Sequence, residues 1–390
     1  MRPAAWIGLA LFFLGCSSDA PRQATIITDS AGIQIVESSG TRWAGTSGYT
    51  VTEDPTLDLT ASGTGPLHEF YQVRSALRLP DGGFAVANYG WSEVRIYDSS
   101  GRHLRSLGRK GEGPGEFQRI ETLSLMPGDS IAVWDYWLRR ITVLSPAGDV
   151  ARVVSLAGVA DRVRQLLSLG HAGFVGFSYS HSSIPDEPGH YRMPYEVLRF
   201  GPDGEVLDTV TVIGGFEGFQ ASIGDAAVPF GKDGHLAVHA TDFVLGSADA
   251  MRMDWYNEDG ELMRIIRVPS FDLSLTAEEV DLARRAMAPE GIPAEFRRVV
   301  ESMEMPDARP AYSDLLVDSE GYLWAQEYRS RGAPEVPINW QVFSPEGQWL
   351  GSVQTPTRFT VFDIGSDYVL GVFRDDLDVE HVQLLGLDRH

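Results

Sequence analysis

Residues 141–156, ITVLSPAGDVARVVSL, read as two β-strands joined by a tight turn. β-branched residues flank the segment SPAGD on both sides, and glycine supplies the positive φ that a short hairpin turn needs. The same unit occurs again at 94–107, 195–212, 253–268 and 340–353. Its turn glycines are Gly101, Gly148, Gly204, Gly260 and Gly347.

A second unit alternates with this hairpin and consists of a buried strand, a turn and a strongly apolar strand. It occurs at 76–88, 123–135, 166–177, 228–240, 314–326 and 362–373. The two units in series make a four-stranded antiparallel meander, which is the blade of a β-propeller. The spacing predicts an all-β fold, a six-bladed β-propeller of four-stranded antiparallel blades.

The sixth blade is incomplete in the sequence. After Val372 one more strand is available, HVQLLGL at 381–387. GIQIVES at 32–38 is a solitary strand near the other end, and we expect it to fill the missing edge. N- and C-terminal strands would then close the ring and leave no sheet edge exposed.

The composition of the 390-residue chain limits the classes of function. Hydrophobic residues make up 43% of the chain, which is enough for a large core, and a single cysteine excludes an intramolecular disulfide and a thiolate zinc site. Acidic residues number 54 against 32 Lys and Arg, for a formal charge of −22. Because such a surface repels phosphate backbones, we expect no nucleic-acid partner.

The first residues have the features of a secretion signal. Arg2 precedes an eleven-residue apolar run at 4–14, too short to span a bilayer, and the run ends in Leu14-Gly15-Cys16. This segment resembles the bacterial lipobox, although Phe13 departs from the usual leucine. The alternative is an ordinary signal peptide with an incidental cysteine.

The lipobox resemblance implies three segments. Residues 1–15 would be the signal peptide, 16–31 the lipidated Cys16 with a flexible tether, and 32–390 the propeller. The protein would be held in the bacterial cell envelope by lipid on Cys16, with the membrane as its first partner. Ser17 rather than aspartate follows the cysteine, which favours the outer membrane, on its periplasmic or its surface side.

A second resemblance lies in the predicted second blade. LGRKGEGPGEF at 107–117 is followed by a strand pair and then by Asp135, Arg140 and Ile141. This arrangement resembles the NHL-type repeat, and the chain from 32 to 390 is similar to six-bladed β-propeller lipoproteins with such repeats. The resemblance implies the fold but no single function, because NHL-type propellers include binding modules and lyases.

The long insertions are predicted to lie on one face. A small helical insertion at about 270–311 separates blades four and five, with a capping box at Thr276 and Glu279 and a second helix beginning around Pro293. The segments 180–194 and 328–339 are predicted to be loops on the same rim. We expect the binding surface there, with the helical insertion acting as a structural cap or as a lid.

Chemistry in a propeller is expected at the central channel, where the second strands end. The predicted end positions are Asn88, Asp135, Phe177, Ala240, Gln326 and Arg374, and a shift of one residue adds His239 or Glu327. This set contains few carboxylates for a calcium site. The pairs His235/His239 and His181/His190 are alternatives for zinc. We predict no catalytic constellation and no cofactor, with a divalent cation (Ca or Zn) as the open alternative.

Two functions follow from these observations. The first is a membrane-anchored, extracytoplasmic, non-catalytic module that binds a protein, peptide or carbohydrate ligand on the loop-rich face. The alternative is a lactonase-like, metal-dependent hydrolase or lyase with its site in the central channel. Trp91, Tyr136 and Trp137 follow second strands and are candidates for an aromatic binding platform.

Overall fold

The computed structural model describes residues 25–43, 48–158, 163–179, 183–222 and 224–390. The predicted signal peptide, Cys16 and His181 lie outside these described residues. Three strands precede the first sheet: β1 (Thr25–Ser30), β2 (Ile33–Ser38) and β3 (Tyr49–Asp58).

The first two sheets are antiparallel and contain four consecutive strands each. The first contains β4 (Val73–Arg78), β5 (Phe84–Asn88), β6 (Glu93–Tyr97) and β7 (His103–Leu107). The second contains β8 (Ile120–Met126), β9 (Ser130–Asp135), β10 (Arg140–Leu144) and β11 (Val150–Ser155).

The third and fourth sheets are larger. The third contains β12 (Val163–Ser168), β13 (Phe174–Ser178), β14 (Gly189–Phe200), β15 (Val206–Ala221) and β16 (Gly224–Ala227). The fourth contains β17 (His235–His239), β18 (Asp242–Gly246), β19 (Arg252–Tyr256) and β20 (Leu262–Arg267), with β2 and β1 added outside β20.

Two helices connect the fourth sheet to the fifth, α1 (Ala277–Met287) and α2 (Ala294–Ser302). The capping box of Thr276 and Glu279 is confirmed, because the Glu279 amide donates to Thr276 Oγ1 at 3.2 Å and the Thr276 amide donates to Glu279 Oε2 at 2.9 Å. Within the described ranges, no helix is long and apolar enough to cross a bilayer.

The last two sheets have four strands each. The fifth contains β21 (Asp314–Val317), β22 (Leu323–Gln326), β23 (Ile338–Phe343) and β24 (Trp349–Thr355). The sixth contains β25 (Phe359–Ile364), β26 (Tyr368–Arg374) and β27 (Glu380–Arg389), with β3 paired antiparallel to β27. Short 3₁₀ turns occupy Pro66–His68, Tyr89–Trp91 and Gly170–Ala172.

The five predicted hairpins are confirmed. They join β6 to β7, β10 to β11, β14 to β15, β19 to β20 and β23 to β24. The turn glycines have positive φ, from 77° at Gly260 to 92° at Gly148. A side chain would be strained in this backbone conformation, which explains why glycine marks each turn.

The sheets are arranged as in a β-propeller. The first strand of each sheet, which we call its inner strand, contacts the inner strand of the next sheet, and β25 contacts β4. Each cluster of buried apolar side chains joins two neighbouring sheets; one of them combines Val86 of the first sheet with Leu370 of the sixth. The Arg78 amide also donates to Asp363 Oδ2 at 3.0 Å between these two sheets.

One face of the molecule receives the connections between sheets. Inner strands begin there and second strands end there, and we call it the link face. In the third sheet β14 pairs with β13 only from Glu196 to Phe200, so its first half extends beyond the link face together with β15 and β16. The prediction of a loop over 180–194 is therefore wrong from residue 189 onward.

The prediction that 32–38 completes the sixth sheet is wrong. Strand β2 pairs in parallel with β20 of the fourth sheet, and β3 completes the sixth. The β3 sequence YTVTEDPTLD does not resemble a strand because of Pro55, but Pro55 lies at a register shift on an edge strand, where no ladder amide is needed. Residues 25–30, expected in the tether, form β1.

The strand assignment in the fourth sheet is also wrong. The apolar segment 228–234 is a loop rather than a strand, although Val228 and Phe230 are buried. The Phe230 amide donates to the Tyr328 hydroxyl at 2.9 Å. The first two strands are instead joined by a turn at Ala240, whose φ is 55°. The sequence lacks glycine at this turn, which explains the error.

Candidate functional site

A cavity of about 480 Å³ opens on the link face, where the inner strands of the first three sheets begin. Three arginines line it, Arg74 of β4, Arg119 just before β8 and Arg164 of β12. Four tyrosines also line it, Tyr136, Tyr179, Tyr191 and Tyr195. We call this the arginine–tyrosine cavity; Glu121 and Asp225 are its acidic residues.

Irregularities in the inner strands place some of these side chains. Val73, Ile120 and Val163 each pair with the last residue of the neighbouring second strand, and the register shifts directly after each of them. Such bulges change the direction of the next side chain. The residues that follow are Arg74, Glu121 and Arg164.

The Arg164 charge is neutralised by Asp233, which is 2.8 Å away between Nη2 and Oδ2 and 3.2 Å between Nη1 and Oδ1. Arg164 also donates to the Tyr195 hydroxyl, and its guanidinium carbon lies 5.6 Å from the centre of the Tyr195 ring. A paired guanidinium of this kind holds its neighbours in place more than it attracts a ligand.

Arg119 is also paired. Its Nε forms an ion pair with Glu121, and its guanidinium carbon lies 4.9 Å from the Tyr136 ring and 5.7 Å from the Trp137 ring. The two rings contact each other edge to face, with centroids 5.7 Å apart. Of the aromatic residues proposed as a platform, Tyr136 lies inside the cavity and Trp137 is exposed beside it.

Arg74 differs from the other two arginines. Its side chain is exposed, and its guanidinium carbon lies 5.5 Å from the Tyr89 ring. Among the described residues, no carboxylate forms an ion pair with it. Arg74 therefore contributes a guanidinium without an ion-pair partner to the cavity, which also contains the Asp225 carboxylate.

The tyrosines supply neutral hydroxyl groups. Tyr136 and Tyr179 share a hydrogen bond of 3.1 Å, and the Tyr191 hydroxyl donates to Asp225 Oδ1 at 2.7 Å. Burial raises the pKa of Tyr195 to about 12, although Arg164 acts in the opposite direction. Burial and the Asp225 carboxylate also raise the pKa of Tyr191. These groups stay protonated at neutral pH.

Glycines in β15 make room for the side chains of the cavity wall. A Cβ atom at Gly218 would lie 2.4 Å from Tyr191 Oη, and one at Gly215 would lie 2.5 Å from the Tyr195 ring. This wall was not predicted, because the glycine-rich segment IGGFEGFQA suggests a loop. The alternation of phenylalanine with small and polar residues in GFEGFQA was the available signal for a strand.

Asn88 and Asp135 have structural roles at the link face. Asp135 Oδ2 accepts hydrogen bonds from the amides of Gln118 at 2.7 Å and Arg119 at 3.1 Å, and its Oδ1 accepts from Leu138 at 3.0 Å. Asn88 Oδ1 accepts from the Tyr71 amide at 3.0 Å. Both side chains are buried and fix the loops above them.

Gln326 and Arg374 do come together, at a separate cavity of about 300 Å³ between the fifth and sixth sheets. Arg374 Nη2 forms an ion pair with Glu380 Oε1 at 2.7 Å. Glu327 lies in an amide network, since its carboxylate accepts hydrogen bonds from Asn339 and Gln341.

The histidine predictions do not form one site. His239 ends β17 at the face opposite the link face, where its ring lies 6.4 Å from that of Trp255. His235 begins β17, and burial lowers its pKa to about 4 despite Asp233. In the part of the chain that the structure describes, no group of three or more His, Cys, Asp or Glu side chains is placed to hold a metal ion.

The expected second-strand ends shift in two sheets. Ser178 rather than Phe177 ends β13, and Gly246 rather than Ala240 ends β18. The arginines of the cavity were not predicted, because they lie at the beginnings of inner strands, whereas the predicted positions were the ends of second strands. Three similarly placed basic residues before or within the second unit were the available signal.

Several solved structures are similar to this chain over most of its length, at low sequence identity. One, described as an exported protein of Bacteroides fragilis, is 12% identical with a TM-score of 0.52, over 91% of this chain and 99% of that chain. A member of the DUF4221 family from Bacteroides vulgatus is 11% identical with a TM-score of 0.51, over 89% and 100%. A gluconolactonase of Xanthomonas campestris is 14% identical with a TM-score of 0.42, over 89% and 99%.

At these identities the similarity concerns the fold alone. No protein-family model matches the sequence, and no curated protein matches it either.

Proposed function

We propose that this chain is an extracytoplasmic, non-catalytic β-propeller that binds an anionic small molecule in the arginine–tyrosine cavity. The observation that carries the proposal is the Arg74 guanidinium, which has no ion-pair partner among the described residues at a mouth lined with tyrosine hydroxyls. Hydrogen bonds between charged groups are stronger than neutral ones, and a cleft focuses the field of such a cation.

The proposed architecture is a closed ring of six blades. Support comes from the order of the inner-strand contacts, which returns from β25 to β4, and from the apolar cluster shared by the sixth and first sheets. The pairing of β3 with β27 would join the two ends of the chain in one blade. A closed ring leaves the link face as a stable platform for the cavity.

The proposed location is the cell envelope, with Cys16 as the lipid anchor in the outer membrane. It is supported by the lipobox-like segment and by the exported protein that has the same fold. Fractionation of cells tests it. Lipid-modified protein should sediment with membranes, and Cys16→Ser should release the chain; a variant that still sediments would contradict the anchor.

Binding of simple anions tests the ligand class. Acetate, benzoate and glucuronate are titrated by calorimetry and should bind more weakly as the salt concentration rises. The neutral amides of the same three acids, and the cation choline, should not bind. Arg74→Gln should lower anion affinity by about tenfold or more, the worth of one charged hydrogen bond.

The matched control is Arg102→Gln. Arg102 lies in a hairpin turn on the opposite face and is paired with Asp98 at 3.0 Å. Its substitution should leave anion affinity unchanged. The proposal fails if no anion binds, or if both substitutions have the same effect.

A metal-dependent, lactonase-like enzyme is the alternative, although no cluster of metal-binding side chains is present among the described residues. One observation favours a catalytic role. Asp314 begins the inner strand β21, and burial raises the pKa of its carboxyl to about 6 although the Leu315 amide acts in the opposite direction. A carboxyl group with a pKa near 6 still carries its proton in part of the molecules close to neutral pH, as a general acid must. Turnover of a lactone or ester that is lost in Asp314→Asn would favour this alternative; no turnover with added divalent cations would oppose it.

A further inference from the structure

Four exposed apolar residues lie on neighbouring loops of the link face, at the boundary of the sixth and first sheets. Leu377 is 83% exposed, Tyr71 56%, Trp91 53% and Val379 44%. We call them the apolar strip. Scattered apolar side chains are common on surfaces, but contiguous ones indicate a binding site.

The contacts below the strip show that its members are neighbours. An isolated antiparallel bridge between Phe70 and Glu380 places Tyr71 opposite Val379. Tyr71 also lies against Gly90, whose amide donates to the Tyr71 carbonyl at 2.9 Å. A Cβ at Gly90 would be 2.1 Å from the Tyr71 ring, so the backbone next to Trp91 packs against Tyr71.

The loop that carries Leu377 is held in one conformation. The amides of Leu377 and Val379 both donate to Asp375 Oδ1, at 2.8 Å and 2.9 Å. At the base of the same loop, Arg374 and Glu380 form an ion pair of 2.7 Å. The loop therefore presents an apolar side chain to solvent without needing to reorganise, which lowers the entropic cost of binding.

The strip continues to the arginine–tyrosine cavity. Arg74 lines the cavity, and its guanidinium lies over Tyr89. Tyr89 and Trp91 belong to the same 3₁₀ turn. One ligand can therefore touch Arg74 with a charged end and the strip with the rest of its length.

The surface charges restrict that ligand further. The formal charge of −22, to which the Asp378 carboxylate beside Leu377 contributes, repels a polyanion and an anionic membrane, whereas Asp376 is paired with Arg358 at 3.1 Å. A single negative group at Arg74 followed by an uncharged chain avoids this repulsion. Leu377 and Val379 offer no polar group to the hydroxyls of a carbohydrate and favour an alkyl chain, which can also lie against the rings of Tyr71 and Trp91.

We infer that the ligand is an amphiphilic monocarboxylate, with its carboxylate at Arg74 and its alkyl chain along the apolar strip. This inference rests on the proposed function, since it assigns the ligand class of the same cavity.

The test is a series of straight-chain monocarboxylates from acetate to dodecanoate, each kept monomeric. They are titrated against the full-length chain carrying Cys16→Ser, so that no acyl group of the protein competes. Affinity should rise with each added methylene, by up to about fourfold, until the strip is covered. The matching alcohols should bind more weakly at every length.

Two variants separate the contributions of the charge and of the strip. Leu377→Ala with Trp91→Ala should reduce the gain per methylene and leave acetate unaffected. Arg74→Gln should weaken all chain lengths by a similar factor. Leu104→Ala is the matched control, because Leu104 is an exposed leucine on the outer strand β7.

The outcomes distinguish anion binding in the cavity from recognition of an alkyl chain by the apolar strip. Acetate binding that depends on Arg74 but does not increase with chain length would overturn the inference and leave the proposed function standing. No binding by any carboxylate would overturn both. A chain-length gain that survives in the strip variant, or sedimentation with phosphatidylcholine vesicles in place of monomer binding, would also overturn the inference.

Discussion

Arg389 Nη2 donates to the buried carboxylate of Asp318 at 2.8 Å, which joins the last strand of the chain to the fifth sheet. The same carboxylate accepts a hydrogen bond from Trp324 Nε1 at 3.0 Å. The Arg389 guanidinium carbon lies 4.8 Å from the Tyr49 ring and 5.0 Å from the Tyr322 ring. Residues from both ends of the chain therefore meet at one ion pair.

We expect Arg389→Ala to lower the free energy of unfolding by about 3 kcal/mol, because it leaves the Asp318 carboxylate buried without its cation. Urea denaturation followed by tryptophan fluorescence measures this change. Arg102→Ala, which removes an exposed arginine, should cause no measurable loss. Equal effects of the two substitutions would show that the buried pair does not stabilise the sixth sheet.

Arg140 organises the connection between the first and second sheets. Its guanidinium donates to the carbonyl oxygens of Glu112, Gly113 and Glu116, each at 2.6 Å. Arg140→Ala should free the segment 108–117, so hydrogen exchange at the Phe117 amide should become at least about tenfold faster. Unchanged exchange there would mean that Asp135 alone holds the connection.

The pH dependence of stability should contain two opposing contributions from residues that begin inner strands. The folded pKa of Asp314 is raised from 3.8 to about 6, so its contribution to stability falls as pH rises from about 4 to 6. The folded pKa of His235 is lowered from 6.5 to about 4, so its contribution rises with pH over this range. Each pKa shift changes the free energy of unfolding by about 3 kcal/mol between pH 4 and 6. The two changes have opposite signs and largely cancel.

Single substitutions should reveal the two slopes. In Asp314→Asn, the free energy of unfolding should increase between pH 4 and 6, because only the histidine contribution remains. In His235→Asn it should decrease over the same interval. Denaturant titrations at several pH values provide the measurement, and parallel curves for both variants and the parent chain would refute the assignment.

The contact between Gly218 and Tyr191 can be tested by a double-mutant cycle. Gly218→Ala should displace the tyrosine and break its 2.7 Å bond to Asp225, which weakens anion binding more than Tyr191→Phe does. In a Tyr191→Ala background the same alanine should have little effect, because no ring remains to be displaced. Additive losses would show that the glycine matters for another reason.

The repeated hairpins could be predicted because their signals are local. A glycine with positive φ and the alternating residues on either side of it specify a turn and two strands within about fifteen residues. The helical insertion was predicted for the same reason, since Thr276 and Glu279 complete one helix start between themselves. Errors occurred where such markers were missing, as at Ala240, or misleading, as at Gly214 and Gly215 in β15.

The candidate site could be predicted only to the level of a face. Long connections at one rim indicated the link face, but the channel candidates Asn88 and Asp135 have structural roles, and Tyr136 beside Asp135 lines the cavity instead. One position separates the buried Asp135 from the half-buried Tyr136 of the cavity wall, because successive residues at a strand end point in different directions.

The local sequence was thus sufficient for the all-β class, the hairpin repeat and the position of the helices, since those depend on backbone preferences within a few residues. Tertiary structure alone decided which sheet receives β2 and which receives β3, and that Arg74 and Arg164 line one cavity. These outcomes depend on contacts between residues that are far apart in the chain, such as β3 with β27, and no local preference encodes them.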